Sequence, residues 1–139
     1  MKFEYQKFIL GSHDPRKPLV ARPLIPVSLH GNGMKTRSPY FALLDSGADR
    51  VIFPADLAAE VGIPDIEKGE LEPAVGIAGQ RADVYYHNLA LQVLGDTRVL
   101  PTAVGFSRTV SLPILGRSFF KHFKVVTFSE SKEEVELKN

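Results

Sequence analysis

The sequence predicts one mainly β domain that carries one or two short helices. Its 139 residues suit a single domain with a substantial hydrophobic core. Short apolar runs recur along the chain, and several of them alternate with polar residues as half-buried strands do. Clusters of glycine, proline, asparagine and aspartate separate the runs, as turns separate strands. This pattern is typical of an all-β fold.

The composition excludes several classes of binding partner and site. Seventeen basic and sixteen acidic residues give a formal net charge of +1, so no basic surface for nucleic acid or an anionic membrane is expected. Cysteine is absent, which excludes disulfides and thiolate metal sites. His30, His87 and His122 lack the spacing of metal ligands. We therefore expect neither a metal nor another cofactor.

The sequence also bears on localisation. Its apolar runs are far shorter than the ~20 residues that cross a bilayer as a helix. Glu4, Gln6 and Lys7 interrupt the first residues, so no secretory signal is evident. The default expectation is a cytoplasmic protein.

The first segment of the chain predicts a strand and a loop. Residues 3–10 alternate loosely enough for a short strand. Residues 11–18 are rich in glycine, aspartate and proline and are expected to form a loop. We assign residues 1–19 to an N-terminal extension that precedes the main domain.

A hairpin is predicted next. Residues 22–29 form a strand pattern that places Ile25, Val27 and Leu29 on one face. The turn signal His30-Gly31-Asn32-Gly33 follows directly. The chain is therefore expected to reverse here and to enter a further strand that ends at residue 44.

A short helix and a second hairpin follow. Pro54 to Val61 reads as a helix, with proline in the first turn and Gly62 at the C-terminal cap. Residues 70–75 and 81–86 flank a glycine-rich tip at 76–80, which predicts a β-hairpin. A structural role for this hairpin and a role as a mobile lid both fit the residues alone.

The last third of the chain predicts strands, a helix and a tail. Phe119, Phe120 and Phe123 fall on one helical face and are expected in the core. The main domain is expected over residues 20–128. The elements in order are strands at 89–94 and 97–104, a loop at 106–111, a short helix opened by Gly116, a strand at 124–128 and a charged, solvated tail at 129–139.

The stretch with chemical character is Phe41-Ala42-Leu43-Leu44-Asp45-Ser46-Gly47-Ala48-Asp49. An apolar strand runs directly into a carboxylate, although burying an ionised carboxylate is unfavourable unless it has a partner. Asp-Ser-Gly has the chemistry of a tight turn, and as such it occurs by chance in many proteins. A second stretch follows later in the chain, Leu112-Pro113-Ile114-Leu115-Gly116-Arg117. The two stretches together are a more specific signal than Asp-Ser-Gly alone.

Together the two stretches resemble the motifs of retroviral-type, retropepsin-like aspartic peptidases. That family has a catalytic loop of two hydrophobic residues followed by Asp-Thr/Ser-Gly, and later a hydrophobic-hydrophobic-Gly-Arg segment. The resemblance covers residues 20–128 and implies a closed β-barrel in a homodimer. The helix at 54–61 is similar to one found in cellular and bacterial relatives and absent from the retroviral enzymes.

The resemblance implies a role for each matching residue. Catalysis is implied for Asp45, Ser46 and Gly47, and the hairpin at 76–80 corresponds to the flap that closes over bound peptide. Contacts in the dimer or its supporting structure are implied for Arg22, Gly116 and Arg117. The implied substrate-binding residues are Ala48, Asp49, Gly76, Ile77, Ala78, Gly79, Thr109 and Val110.

The chemistry of the family requires a second chain. An aspartic peptidase needs two carboxylates about 3 Å apart, one to deprotonate water and one to protonate the scissile carbonyl. Asp45 alone is followed by a hydroxyl residue and glycine. The resemblance therefore implies an endopeptidase whose Asp45 meets its equivalent at a two-fold axis, acting on a peptide or protein.

Two alternatives stay open from the residues alone. One is a non-catalytic dimer that has the same fold and binds or scaffolds peptides without cleaving them. The other is an unrelated β-barrel in which Asp-Ser-Gly is an ordinary turn.

Overall fold

A computed structural model describes residues 1–9 and 19–139. The predicted loop at 11–18 and the end of the first predicted strand, Leu10, lie outside the described residues. The strands are β1 (Lys2–Glu4), β2 (Gln6–Ile9), β3 (Leu19–Arg22), β4 (Leu24–Gly31), β5 (Met34–Lys35), β6 (Tyr40–Leu44), β7 (Val51–Pro54), β8 (Glu70–Leu71), β9 (Ala74–Val75), β10 (Arg81–Ala82), β11 (Tyr85–Val93), β12 (Leu100–Ser107), β13 (Ile114–Leu115), β14 (Val125–Ser129) and β15 (Glu134–Lys138).

The helices are few and short, as the sequence predicted. One α-helix, α1, spans Arg117–Phe120. Three 3₁₀ helices span Ala55–Val61, Ile66–Lys68 and Glu130–Lys132. The fold is therefore mainly β.

Eight strands form a sheet that closes into a barrel. Their order is β5-β4-β6-β13-β7-β12-β11-β8, and β4 also pairs with β11, which closes the sheet on itself. The predicted face of β4 is confirmed, because Ile25, Val27 and Leu29 are all fully buried. They join residues of the other strands in one hydrophobic core.

The hairpin between β4 and β5 confirms the predicted turn. His30 pairs with Lys35 and Gly31 pairs with Met34. Asn32 and Gly33 connect them with positive φ angles of 49° and 74°. Two left-handed residues in succession match the twist of the strands, and asparagine followed by glycine tolerates them best.

The predicted helix after β7 is present as a 3₁₀ helix, Ala55–Val61. Gly62 has φ 73° and donates its amide to Ala59 O at 3.2 Å, which confirms the predicted cap. Ala58 and Val61 are buried against the barrel. This helix packs against β4, β5, β7 and β12, and none of its residues lines the cleft described below.

The predicted strand at 97–104 is displaced along the chain. β12 begins at Leu100 and continues to Ser107, so part of the predicted loop at 106–111 is strand. Phe106 is fully buried because it belongs to β12, which pairs with both β7 and β11. The aromatic core prediction is confirmed for Phe119 and Phe123, which are buried.

The prediction of a solvated tail from Ser129 is wrong. β15 lies between β1 and β14 in a three-stranded sheet. Val135 and Leu137 are each only 1% exposed, because they alternate with charged residues and face the core. The charged side chains of β15 therefore lie on the opposite, outer face of the strand.

The first predicted strand is likewise divided between two sheets. β1 pairs with β15, whereas β2 pairs with β3. Tyr5 separates them; its amide donates to Glu133 O at 2.7 Å and its hydroxyl to Glu130 at 2.8 Å. Burial and the neighbouring Glu130 raise the pKa of Tyr5 to about 12, so the phenol remains a donor. The two ends of the chain thus form one structural unit.

Candidate active site

Strand β6 holds the backbone of Asp45 rigidly at its end. Leu43 donates its amide to Pro113 O at 2.8 Å, and Asp45 donates to Leu115 O at 3.1 Å. On the other side, Leu44 donates to Pro23 O at 2.9 Å. Backbone hydrogen bonds from two neighbouring segments therefore fix the point at which the carboxylate leaves the barrel.

The turn after β6 keeps the Asp45 carboxylate accessible. Gly47 donates its amide to Asp45 Oδ1 at 2.9 Å, and Ala48 donates to Asp45 O at 3.2 Å. Asp45 is half-buried, whereas Ser46 and Gly47 are exposed. A Cβ at position 47 would lie 3.2 Å from Asp45 Oδ1, so glycine leaves space beside the carboxylate.

The loop after Asp45 is joined to the start of α1 by three backbone hydrogen bonds. Gly116 donates to Arg50 O at 3.1 Å, Arg117 to Ala48 O at 2.8 Å, and Ser118 to Asp49 O at 2.9 Å. The first amides of a helix have no partner within the helix, so the loop satisfies them. This arrangement explains why the two distant sequence stretches occur together.

Asp49 and Arg117 form an ion pair beside this junction. The Arg117 guanidinium donates a hydrogen bond to Asp49 Oδ1. Within a single chain the Asp49 side chain is 72% exposed and that of Arg117 65%. A pair so exposed contributes at most about 1 kcal/mol to folding.

The glycine-rich hairpin projects from the barrel. β9 and β10 pair with Val75 opposite Arg81, and Gly76 accepts and donates the turn hydrogen bonds. Gly79 has φ 81°, and no atom lies within 4 Å of where its Cβ would be. Ile77 at the tip is fully exposed. The predicted hairpin is therefore present, and its tip contacts little of its own chain.

A cleft of about 630 Å³ lies between the Asp45 loop and the root of this hairpin. It brings together the predicted residues Gly47, Ala48 and Asp49. The hairpin tip, residues 76–79, does not line it. The remaining lining residues are Arg50, Ile52, Glu72, Pro73, Ala74, Val75 and Tyr86.

Sequence reasoning missed the charged pair that lines this cleft. Arg50 binds Glu72 through an ion pair, and its guanidinium lies 4.6 Å from the centre of the Tyr86 ring. The hydrogen bond to Glu72 raises the pKa of Arg50, and burial raises the pKa of Tyr86. At neutral pH the cleft therefore contains a charged pair beside an un-ionised phenol. No sequence signal links residues 50, 72 and 86.

Ile52 also lines the cleft, and the sequence carried a signal for it. Val51 and Phe53 on either side are fully buried in the core. Residues of a strand alternate between faces, so Ile52 is directed to the opposite side of β7. The apolar run Val51-Ile52-Phe53 thus supplies both core and cleft.

Asp45 and Ser46 border this cleft through Gly47 but do not line it, and neither do Gly116 and Arg117. Three more predicted site residues also lie apart from the cleft lining. Thr109 is exposed and its amide donates to Ser107 Oγ at 3.3 Å, and Val110 next to it is half-buried. Arg22 ends β3 opposite Gln6 and directly precedes Pro23, whose carbonyl binds Leu44. Arg22 is therefore close along the chain to the strand that carries Asp45.

The described residues contain no cluster of three or more His, Asp or Glu side chains placed to share a metal ion. Across the same two ranges, no helix has the length and apolarity needed to span a membrane.

The comparisons with known proteins support the fold. No family model matches the sequence, and no curated protein matches it either. Among solved structures, EIAV protease complexed with the inhibitor HBY-793 matches with a TM-score of 0.54 and 18% sequence identity. The match covers 81% of this chain and 93% of that chain. The protein therefore has a mainly β, closed-barrel fold similar to that of a retroviral protease.

Proposed function

We propose that the protein is an aspartic endopeptidase that works as a homodimer, with Asp45 of each chain meeting at the two-fold axis. The main support is the position of Asp45, whose accessible carboxylate ends a backbone-fixed strand of a retropepsin-like barrel. An open cleft and a projecting hairpin adjoin it. The 3₁₀ helix Ala55–Val61 supports placement in the cellular and bacterial branch.

The proposed reaction uses the two Asp45 carboxyl groups in different protonation states. The ionised carboxylate takes a proton from water, and the water oxygen attacks the carbonyl carbon of the peptide bond. The protonated carboxyl of the other chain gives its proton to the carbonyl oxygen. The tetrahedral intermediate then breaks its C–N bond, and a proton passes to the departing amine.

The surrounding residues have supporting roles in this proposal. Ser46 stiffens the paired loops by a hydrogen bond across the axis. Ala48 and Asp49 contact the peptide backbone from below, and Gly76–Gly79 close over it from above. Thr109 and Val110 line the pockets for the side chains that flank the cleaved bond. Extended peptides suit a cleft bounded by a loop and a hairpin in this way.

The Asp49–Arg117 pair belongs to the proposed dimer contact, together with Arg22 and the backbone of Gly116. Its exposure in the single chain supports this role, because a partner is then able to cover it without rearrangement. Arginine suits the position because it remains charged and binds carboxylates in a planar, two-bond geometry.

The proposal is tested by mixing wild-type chains with chains that carry Asp45→Asn. With about a ninefold excess of the variant, random pairing leaves roughly one tenth of the wild-type chains in fully wild-type dimers. Hydrolysis of a diverse peptide library should therefore fall about tenfold per wild-type chain, after time for exchange. An Asp56→Asn chain in the same excess is the control and should have no such effect.

The outcomes separate the alternatives. Activity that tracks only the amount of wild-type chain, in a protein that sediments as a monomer, contradicts the shared site. Binding of library peptides without any cleavage points to the non-catalytic peptide-binding dimer. Inhibition by statine-type compounds supports the aspartic mechanism.

The dependence of hydrolysis on pH follows from the shared proton. The mechanism requires one group that accepts a proton and one that donates a proton, so loss of either form stops the reaction. The rate should pass through an acidic to mildly acidic optimum and fall on both sides. A rate that still rises through pH 9 contradicts the mechanism and indicates another nucleophile.

The hairpin tip is tested with Gly79→Val. A branched residue at φ 81° is strained by roughly 1–2 kcal/mol, and closure over a peptide requires the tip to change shape. We expect the initial rate of hydrolysis to fall at least tenfold, while the melting temperature falls by only a few degrees, as the strain alone requires. Gly33→Val is the matched control, since Gly33 also has positive φ in open space, at the tip of another hairpin. Equal loss of activity in both variants contradicts a lid role.

A further inference from the structure

Arg50 and Glu72 connect the two walls of the cleft. Arg50 follows the Asp45 loop and immediately precedes β7, whereas Glu72 lies at the root of the projecting hairpin, between β8 and β9. Their side chains form an ion pair, and both residues line the cleft of about 630 Å³. A peptide that occupies this cleft therefore lies beside a charged pair that joins loop to hairpin.

Arg50 is the more firmly held member of the pair. Its carbonyl accepts a hydrogen bond from the Gly116 amide at 3.1 Å, so the junction of loop and α1 fixes its backbone. Its guanidinium lies 4.6 Å from the centre of the Tyr86 ring, and Tyr86 is only 8% exposed. A cation over an aromatic face loses this attraction if it swings away into solvent. The guanidinium is thus held inside the cleft.

Glu72 has fewer contacts to lose. Its amide donates to Val84 O at 2.9 Å, which fixes its backbone but not its side chain. Within residues 1–9 and 19–139, Arg50 is the one ion-pair partner of its carboxylate. The Glu72 side chain is 50% exposed, so water is able to hydrate the carboxylate when it leaves Arg50. Ion pairs as exposed as this one are weak. Glu72 is therefore the replaceable partner.

The guanidinium has hydrogen-bonding capacity left. It carries five N–H donors in a planar fork that binds a carboxylate best through two parallel hydrogen bonds. Glu72 accepts a hydrogen bond from Nη2 of Arg50. The Nε of Arg50 is buried and has no acceptor in the described part of the chain. The ability of Arg50 to bind a carboxylate is therefore not exhausted by Glu72.

The other charge in the cleft is already neutralised. Asp49 is the second acidic residue of the lining, and it pairs with Arg117. The remaining lining residues are uncharged. When the Glu72 side chain turns to solvent, Arg50 is left as a cation without a counter-ion in the cleft. An acidic ligand then restores the balance, whereas a basic ligand faces the fixed charge of Arg50.

We propose that Arg50 determines substrate specificity by binding an aspartate or glutamate side chain of the peptide, which takes the place of Glu72 on the guanidinium. The inference rests on the proposed peptidase function. It adds the chemical class of the substrate, a peptide with an acidic side chain near the cleaved bond. Glu72 acts as an internal competitor, which covers Arg50 while the cleft is empty.

The test measures peptide binding to the Asp45→Asn chain by fluorescence anisotropy, so it needs no cleavage. Each library peptide that binds is remade with Glu, Gln or Lys at each position in turn. Acetylated and amidated ends ensure that the new side chain adds the carboxylate under test. At neutral pH a glutamate with a pKa of about 4.3 is ionised. At low ionic strength, Glu at one position should bind about threefold more tightly than Gln, because displacement of Glu72 offsets part of the gain.

Two cleft variants, each combined with Asp45→Asn, should change this preference in opposite directions. Arg50→Gln should abolish it, and Arg50→Lys should retain part of it, because lysine keeps the charge but lacks the fork. Glu72→Gln removes the competing charge and should raise the preference to about tenfold. Arg37→Gln is the control, since Arg37 is an exposed arginine outside the cleft lining, and it should leave the preference unchanged. Partial unfolding would instead weaken the binding of all peptides alike.

The results distinguish this proposal from the endopeptidase itself. Peptides that bind equally with Glu and Gln, or best with Lys, overturn the role of Arg50 and leave the endopeptidase standing. A preference for Glu that survives Arg50→Gln overturns that role as well. A preference that depends on Arg50, in a protein whose wild-type form cleaves no peptide, supports the acidic ligand and counts against the endopeptidase. A chain that binds no peptide overturns both proposals.

Discussion

Replacing Asp45 with asparagine is expected to abolish peptide hydrolysis without unfolding the protein. Every dimer of this variant lacks both carboxylates, so neither a base for water nor an acid for the carbonyl remains. Loss of general acid–base catalysis typically costs about 10²–10⁴-fold in rate. The fold should be unchanged, because asparagine has the same size and its oxygen still accepts the Gly47 amide hydrogen bond.

The measurement is the initial rate on the best library peptide, together with the melting temperature of the same preparation. Asp56→Asn is the matched control, since Asp56 is an exposed carboxylate in the 3₁₀ helix Ala55–Val61. It should retain full activity. Hydrolysis that persists in purified Asp45→Asn protein overturns the assignment of Asp45 as the catalytic residue.

Gly116→Ala should be strongly destabilising, although its φ of −82° is open to any residue. A Cβ at this position would lie 2.6 Å from Ala48 O and 2.7 Å from Arg50 N. These are backbone atoms, so no side-chain rotation relieves the contact. Moving the loop away from α1 breaks the three hydrogen bonds that join them. Overpacking typically lowers the free energy of unfolding by about 1–3 kcal/mol. We expect Gly116→Ala to lower it by an amount at the upper end of that range or beyond it.

A loss of this size should lower the melting temperature by roughly 10 °C, and activity should fall with it because the loop carries Asp45. Gly33→Ala is the control, since its Cβ would meet nothing within 4 Å and only the backbone strain remains. If Gly116→Ala melts at the wild-type temperature, the junction of loop and helix is not the support that the structure indicates.

The sequence by itself determined the features that depend on neighbouring residues. Asn32-Gly33 specified a hairpin because few other pairs tolerate two left-handed residues. Ile25, Val27 and Leu29 identified the inner face of β4, because alternation is a local property of a strand. Gly62 marked the end of a helix for a similar reason. The Asp45 stretch and the Gly116 stretch also singled out the candidate site.

Only the tertiary structure decided features that join distant parts of the chain. In the sequence, residues 134–138 look like a charged tail, yet Val135 and Leu137 are buried. They are buried because β15 pairs with β1, which is more than one hundred residues away along the chain, and with β14, which is about ten residues away. Arg50 and Glu72 meet because the hairpin root folds back over the Asp45 loop. Such a strand is stabilised by contacts with distant segments, so its local sequence resembles that of a solvated segment. The same holds for an ion pair between distant residues, since no local pattern indicates that the two side chains meet.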